Sequence, residues 1–224
     1  MIDVEIISVC VGQVSGVGGP VGVVVDGSSA PRHRGEFVAG LPVDEVAFVE
    51  DAANGTLSVV DSTGELSLAA QPVMAAAWTL RRRGIDLRRA VLPFGPLPVG
   101  ADEDSAWVGI PVTAAPPVSR VRCSSSAQLG ALDPTTAEPG VYYWVWRNEE
   151  RGLIAARRFG ADHIEEPVSL APVIGLVAEV RRPVTVTQPA GAELRARPSG
   201  DGLVVLGGHV RWQRSLTVRH RGSA

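Results

Sequence analysis

The chain has 224 residues, 21 of them basic and 24 acidic, which gives a formal net charge of −3. Its 45% hydrophobic and 20% charged content is that of an ordinary globular protein, long enough for one large domain or two lobes. The 25 glycines and 17 prolines suit a turn-rich β protein rather than a disordered one. Every basic residue is arginine, so chemistry that needs a lysine is excluded: P-loop nucleotide binding, Schiff-base catalysis and the protein-kinase ATP site. Cys10 and Cys123 stand far apart with no C-x-x-C spacing, which supports neither a zinc site nor a disulfide. Asp3 and Glu5 fall where a signal peptide carries positive charge, and no run of about 18 apolar residues is present. A soluble, cytoplasmic protein without a membrane span is expected.

The elements follow in chain order. Val4, Ile6 and Val9 open with a β-branched run, and GPVGVVVDG (19–27) predicts a short apolar strand closed by Asp26-Gly27. Strands are predicted over 45–51 (EVAFVED) and within 56–70, with a turn at Ser62-Thr63-Gly64. The period then changes. Residues 72–83 begin with a proline suited to a first helical turn and end in three arginines before Gly84, which is helix punctuation at both ends. The helix body is apolar nearly all round and should be buried on every side. Strand-like segments at 121–123, 141–147 and 152–160 lead to a second apolar helix over 172–182, and then to strands within 185–188, 194–199 and 202–212. Trp144 and Trp146 alternate along one strand face, as core or interface residues do.

The two helices match at an offset of 100: Pro72-Val73 with Pro172-Val173, and Arg81-Arg82 with Arg181-Arg182. A duplicated unit is the better reading, with an N-terminal lobe over 1–105 and a C-terminal lobe over 106–224. Each lobe is expected to be α+β, a curled, mostly antiparallel, barrel-like sheet around a central helix. The helix N-termini, at Gln71-Pro72 and Ala171-Pro172, are expected to point towards the join. Their unpaired backbone N–H groups would cradle a small anion such as a carboxylate.

Several stretches resemble the PhzF-like isomerase family of phenazine biosynthesis, which has the diaminopimelate-epimerase fold. Gly18-Gly19-Pro20 before an apolar strand is similar to the family's Gly-Asn-Pro. Asp44-Glu45-Val46-Ala47-Phe48-Val49 is similar to Ser-Glu-Thr-x-Phe-Val. The block 61–80, DSTGELSLAAQPVMAAAWTL, resembles Thr-Pro-x-x-Glu-Leu-x-x-x-Gly-His-Pro-x-x-x-Ala. Residues 165–171 resemble Glu-Asp-Pro-x-Thr-Gly-Ser-Ala, and Gln188, Arg197-Pro198-Ser199 and Gly207-Gly208 follow in family order. The resemblance implies a two-lobed, usually dimeric biosynthetic isomerase that needs no cofactor and holds its substrate between the lobes. It implies Glu45 as the acid and base that moves a proton on a small carboxylic acid, with Glu166 as the second carboxylate. Gln71, Gly19, Ser169 and Ala171 fall on the substrate-binding positions.

The departures are specific. Gln71 replaces a histidine, and a neutral amide can orient a substrate but exchanges no proton near pH 7. Ser169-Leu170-Ala171 replaces Thr-Gly-Ser, Glu166 is one methylene longer than the usual aspartate, Gly19 replaces Asn and Ala70 replaces Gly. These favour an alternative: a catalytically degenerate fold kept as a small-molecule-binding or dimerisation module. Cys10 and Cys123 lie outside the positions where epimerases of this fold carry paired thiols, so a two-cysteine racemase is excluded.

Other residues have plainer readings. Glu45 without the motif would be a solvated edge residue. Arg81, Arg82, Arg83, Arg88 and Arg89 complement the negative end of a helix rather than mark nucleic-acid binding, since the net charge is negative and no nucleic-acid motif is present. His33, His163, His209 and His220 lack metal-ligand spacing and are read as structural or surface residues, so no metal is expected.

Overall fold

The computed structural model describes residues 1–12, 18–27 and 31–219. The first half of the chain forms β1 (Ile2–Val9), β2 (Gly19–Val24), α1 (Arg34–Ala39), β3 (Glu45–Asp51), β4 (Thr56–Asp61), β5 (Gly64–Leu66), α2 (Ala70–Arg82), β6 (Arg89–Leu92), β7 (Gly95–Ala101) and β8 (Ser105–Pro111). There follow β9 (Arg120–Arg122), α3 (Ser126–Gly130), β10 (Tyr142–Asn148), β11 (Leu153–Arg158), α4 (Ala171–Val180), β12 (Val184–Thr187), β13 (Glu193–Pro198) and β14 (Leu203–Val218).

The chain divides into two compact units. The first holds Met1–Val9, Gly19–Val108 and the chain from His209 onward; the second holds Gly109–Gly208 and the segment that begins at Cys10. The chain passes between the units at 9/10, 18/19, 108/109 and 208/209, four crossings where a single cut at 105/106 was expected. The reason is strand pairing: the C-terminal half of β14 runs antiparallel to β1, Val210 opposite Val9 and Val218 opposite Ile2.

In the first unit β1–β2, β3–β4, β6–β7 and β7–β8 pair antiparallel, while β2–β3 and β4–β6 pair parallel. β14 neighbours β8 and returns to β1, which closes an eight-stranded mixed barrel. Helix α2 fills it, packing on β1, β2, β3, β4 and β7. Every residue from Pro72 to Leu80 is buried, as an all-round apolar helix requires. Trp78 donates its indole N–H to the Glu103 carbonyl at 3.0 Å. The helix ends in a Schellman turn: Gly84, at φ +82°, donates to Arg81 O and Ile85 donates to Leu80 O, both at 3.0 Å. On the other face of the barrel wall, Phe37 and Val38 of α1 cover Val46, Phe48 and Val60. The expected strand over 45–51 and turn at 62–64 are thus observed, and the helix begins slightly earlier than position 72.

The second unit repeats this plan. β9–β10 and β11–β12 pair parallel, β10–β11 and β12–β13 antiparallel, the same alternation as β2–β3, β4–β6, β3–β4 and β6–β7. α4 packs on β13, with Pro172, Val173, Ile174, Leu176 and Val177 buried. α3 covers β10 and β11 through Cys123, Leu129 and Val145.

One glycine pair makes the duplication concrete. Gly55 and Gly152, at φ +72° and +68°, precede β4 and β11. A Cβ on Gly55 would lie 2.1 Å from Arg89 O, and one on Gly152 2.5 Å from Pro183 O, so each passes where no side chain fits. Their carbonyls accept from Val91 N at 2.8 Å and Thr185 N at 2.9 Å. The repeat offset is 97 on these strands and 100 on the helices, because the link before α4 is longer than that before α2.

Candidate functional site

Glu45 is the first residue of β3, and its register partner across the antiparallel pair is Asp61, the last residue of β4. Side chains alternate along a strand, so Glu45 lies on the face opposite Val46 and Phe48, the face that α2 packs against. The parallel β2–β3 pairing, Gly22 beside Val46, puts Gly19 at the same end of the barrel as Glu45. Gln71, in the first turn of α2, reaches this end as well: its amide nitrogen lies 2.7 Å from where a Cβ on Gly19 would stand. The structure thus brings Glu45, Gly19 and Gln71 to one barrel mouth. The N-cap of α2 is Ala69 rather than Gln71, and no side chain caps it, so the first-turn N–H groups have no side-chain partner there.

The electrostatics of this mouth are uncompensated. Burial pushes the Glu45 carboxyl up from 4.5 to about 7, with further contributions from the charges of Asp61 and Asp44. Asp61 is held in the opposite direction. Its Oδ1 accepts from Thr63 Oγ1 and Thr63 N at 2.7 Å and from Gly64 N at 3.0 Å, and these bonds lower its pKa. Among the described residues, none of Asp44, Glu45 and Asp61 makes a salt bridge. Sequence reasoning missed Asp61; its only local signal is Asp-x-Thr-Gly, a turn in which Asp caps the following N–H groups.

Glu166, Ser169 and Ala171 come together in the second unit. Arg158 Nη1 donates to both Glu166 oxygens at 2.8 Å, and its Nε donates to Gly140 O at 3.2 Å. Ser169 Oγ donates a short hydrogen bond to Glu166 Oε2. Both oxygens of the Glu166 carboxylate are thus hydrogen-bonded within their own unit. Gln188, buried, frames the approach to α4: it accepts from Ser169 N at 2.7 Å and donates to Ser169 O at 2.8 Å and to Tyr142 Oη at 3.0 Å. Ala171 opens α4. Its N-cap is Leu170, and again no side chain caps the helix. Arg158 and Tyr142 were not legible as site residues, because their partners are set by cross-strand register.

The remaining candidates serve structure. Arg83 pairs with Glu5 and Arg88 with Asp86 at the exposed surface, and Arg82 stacks on Trp78 at 4.9 Å. His33 precedes α1, His163 contacts Pro134 O at 2.8 Å, and His209 lies 3.6 Å from Asp104; His220 is outside the described residues. Cys10 and Cys123 are buried and free. Trp144 is buried, edge-to-face with Trp146 at 5.6 Å between ring centres. Among the described residues no group of three or more His, Cys, Asp or Glu could hold a metal ion, and no helix is long and apolar enough to cross a membrane.

No family profile matches the sequence. Solved structures do. A phenazine biosynthesis PhzC/PhzF protein from Clostridium difficile aligns with a TM-score of 0.79 at 15% identity, over 98% of this chain and 100% of its own. A phenazine biosynthesis protein of the PhzF family from Enterococcus faecalis aligns at 0.74 and 16%, over 96% and 97%. A hydroxyproline epimerase from Agrobacterium vitis aligns at 0.63 and 11%, over 97% and 90%. At such identities the likeness is one of fold. The chain has the fold of the PhzF phenazine-biosynthesis proteins, α+β and diaminopimelate-epimerase-like, as its motifs at 18–80 and 165–208 suggested.

Proposed function

We propose that this protein is a PhzF-like, cofactor-independent isomerase that moves a proton on a small carboxylic acid, with Glu45 as acid and base. The observation that carries the reading is a half-buried glutamate at the barrel mouth whose proton affinity sits near neutrality. A group with a pKa near the working pH exists in both forms, so it can accept a proton from carbon and return it to another carbon. The step balances without an oxidant: one C–H bond breaks as the Glu45 carboxylate takes the proton, and another forms as the carboxylic acid gives it back.

Gln71 orients the substrate through its amide beside Gly19, and the uncapped N–H groups of α2 offer donors to a carboxylate. Within the second unit Glu166, paired with Arg158 and bonded to Ser169 beside the start of α4, acts as a fixed charge. A homodimer belongs to the same proposal and is checked by sedimentation.

The test is deuterium incorporation from D₂O into a panel of small carboxylic acids, wild type against Glu45→Gln. Incorporation that falls at least about a hundredfold in the variant supports the assignment. Incorporation that survives unchanged removes it. The engaged Glu166 and the non-titrating Gln71 favour a second reading, a binding module with no chemistry. Carboxylate binding without exchange in the wild type would select it.

A further inference from the structure

The corner that carries Glu45 has a second carboxylate built into it. Asp61 is its cross-strand partner, so the two side chains share one face of the β3–β4 pair. Asp61 is also fixed: three donors from Thr63 and Gly64 converge on its Oδ1. Like charges directly opposite on a sheet destabilise it, yet the carboxylate that caps this turn stands opposite Glu45. We propose that Asp61 is a positioning residue for Glu45: an anion locked by its own turn on the same face of the β3–β4 pair, whose charge acts on the Glu45 carboxyl. The proposal rests on Glu45 being the acid and base.

The surroundings leave Asp61 as the main adjustable charge. Asp44 precedes Glu45 in the chain and adds in the same direction. β2, which flanks β3 on its other side, has no titratable residue, and neither has the first turn of α2, Ala70-Gln71-Pro72. α1 covers the opposite face, and its Arg34 is committed to Glu50, Ser58 and Gly27 O. Burial is the first cause of the raised Glu45 carboxyl, and the charge of Asp61 adds to it. A fixed neighbouring anion acts on it independently of burial.

The consequence for chemistry follows. With Asp61 ionised, a second negative charge on Glu45 is disfavoured, so the pair holds one proton up to neutral pH and releases it only above. Glu45 then begins the cycle as an acid as readily as a base, without the histidine that Gln71 replaces.

The experiment follows the side-chain carboxyl carbon of Glu45 by NMR as pH is varied, in the ¹³C-labelled full chain. Asp61→Asn keeps an oxygen that can accept from Thr63 and Gly64, so the turn is preserved, and Asp61→Thr repeats the test with a different neutral residue. Both should lower the proton affinity of Glu45 by at least about threefold, and by more than Asp44→Asn does. A midpoint unchanged in either folded variant overturns the proposal. The titration needs no substrate. A lowered midpoint together with undiminished exchange in Glu45→Gln would leave the role of Asp61 standing and remove the catalytic reading of Glu45. An unchanged midpoint with an inactive Glu45→Gln would do the reverse.

Discussion

The same corner of the duplicated scaffold is built twice, with opposite electrostatics. In the first unit Glu45 faces Asp61 across β3 and β4; in the second, Tyr142 faces Arg158 across β10 and β11. The second corner is closed. Arg158 is neutralised by Glu166, the Tyr142 hydroxyl is bonded to Gln188, and burial raises the phenol well above its ordinary range. The first corner is left with two facing carboxylates that make no salt bridge among the described residues, and burial pushes one of them up to about 7. A fold tolerates an unsatisfied arrangement at one or two places and satisfies the equivalent ones, and the unsatisfied place is where function is expected. Under the proposed function, proton chemistry belongs to the first unit and framing to the second.

The largest effect that could break this comparison is on rate. Glu45→Gln should lower deuterium exchange by about two to four orders of magnitude, while Tyr142→Phe, at the equivalent place, should change it less than tenfold. If both act alike, the asymmetry is lost. On stability the order reverses. Gln188→Leu leaves the Ser169 N–H and carbonyl without their buried partner, and should cost roughly 2–4 kcal/mol in urea unfolding.

A third prediction uses pH. Glu45 has a folded-state pKa raised from 4.5 to about 7. Below 4.5 it is protonated folded and unfolded, and contributes nothing to the difference. As pH rises through 4.5 to 7 the unfolded chain releases the proton first, so stability falls, and above 7 the full loss remains. Glu45→Gln should therefore stabilise the protein by roughly 1–3 kcal/mol at pH 8 and barely at all at pH 4. Arg81→Gln, which removes one exposed pair with Asp86, should shift stability by less than about 0.5 kcal/mol at either pH.

Much of the fold could be read from residues. β3 matches its predicted span because VAFV is a short apolar run bounded by acidic residues, and α2 is announced by Pro72, an alanine-rich body and Gly84. The stretch from 85 to 120 was unreadable, since Pro93, Pro96 and Pro98 look like loop punctuation. In the structure Pro96 and Pro98 sit within β7, opposite Val91 and Arg89 of β6. α1 and α3 span 6 and 5 residues, too short to show a helical period. Of the candidate site residues, Glu45, Gly19 and Gln71 rest on motif order, and Glu166, Ser169 and Ala171 likewise. Asp61 was not, because it meets Glu45 only through strand register, and the Glu166–Arg158 pair forms only because the chain turns back after β11.

The most direct test of the account is the titration midpoint of the Glu45 carboxyl in the wild-type chain, followed by carboxyl ¹³C shifts from pH 4 to 9. The account predicts a midpoint at about 7. A midpoint near 4.5 would mean that Glu45 is a solvated carboxylate like any other, and the proton-transfer site would fall with it.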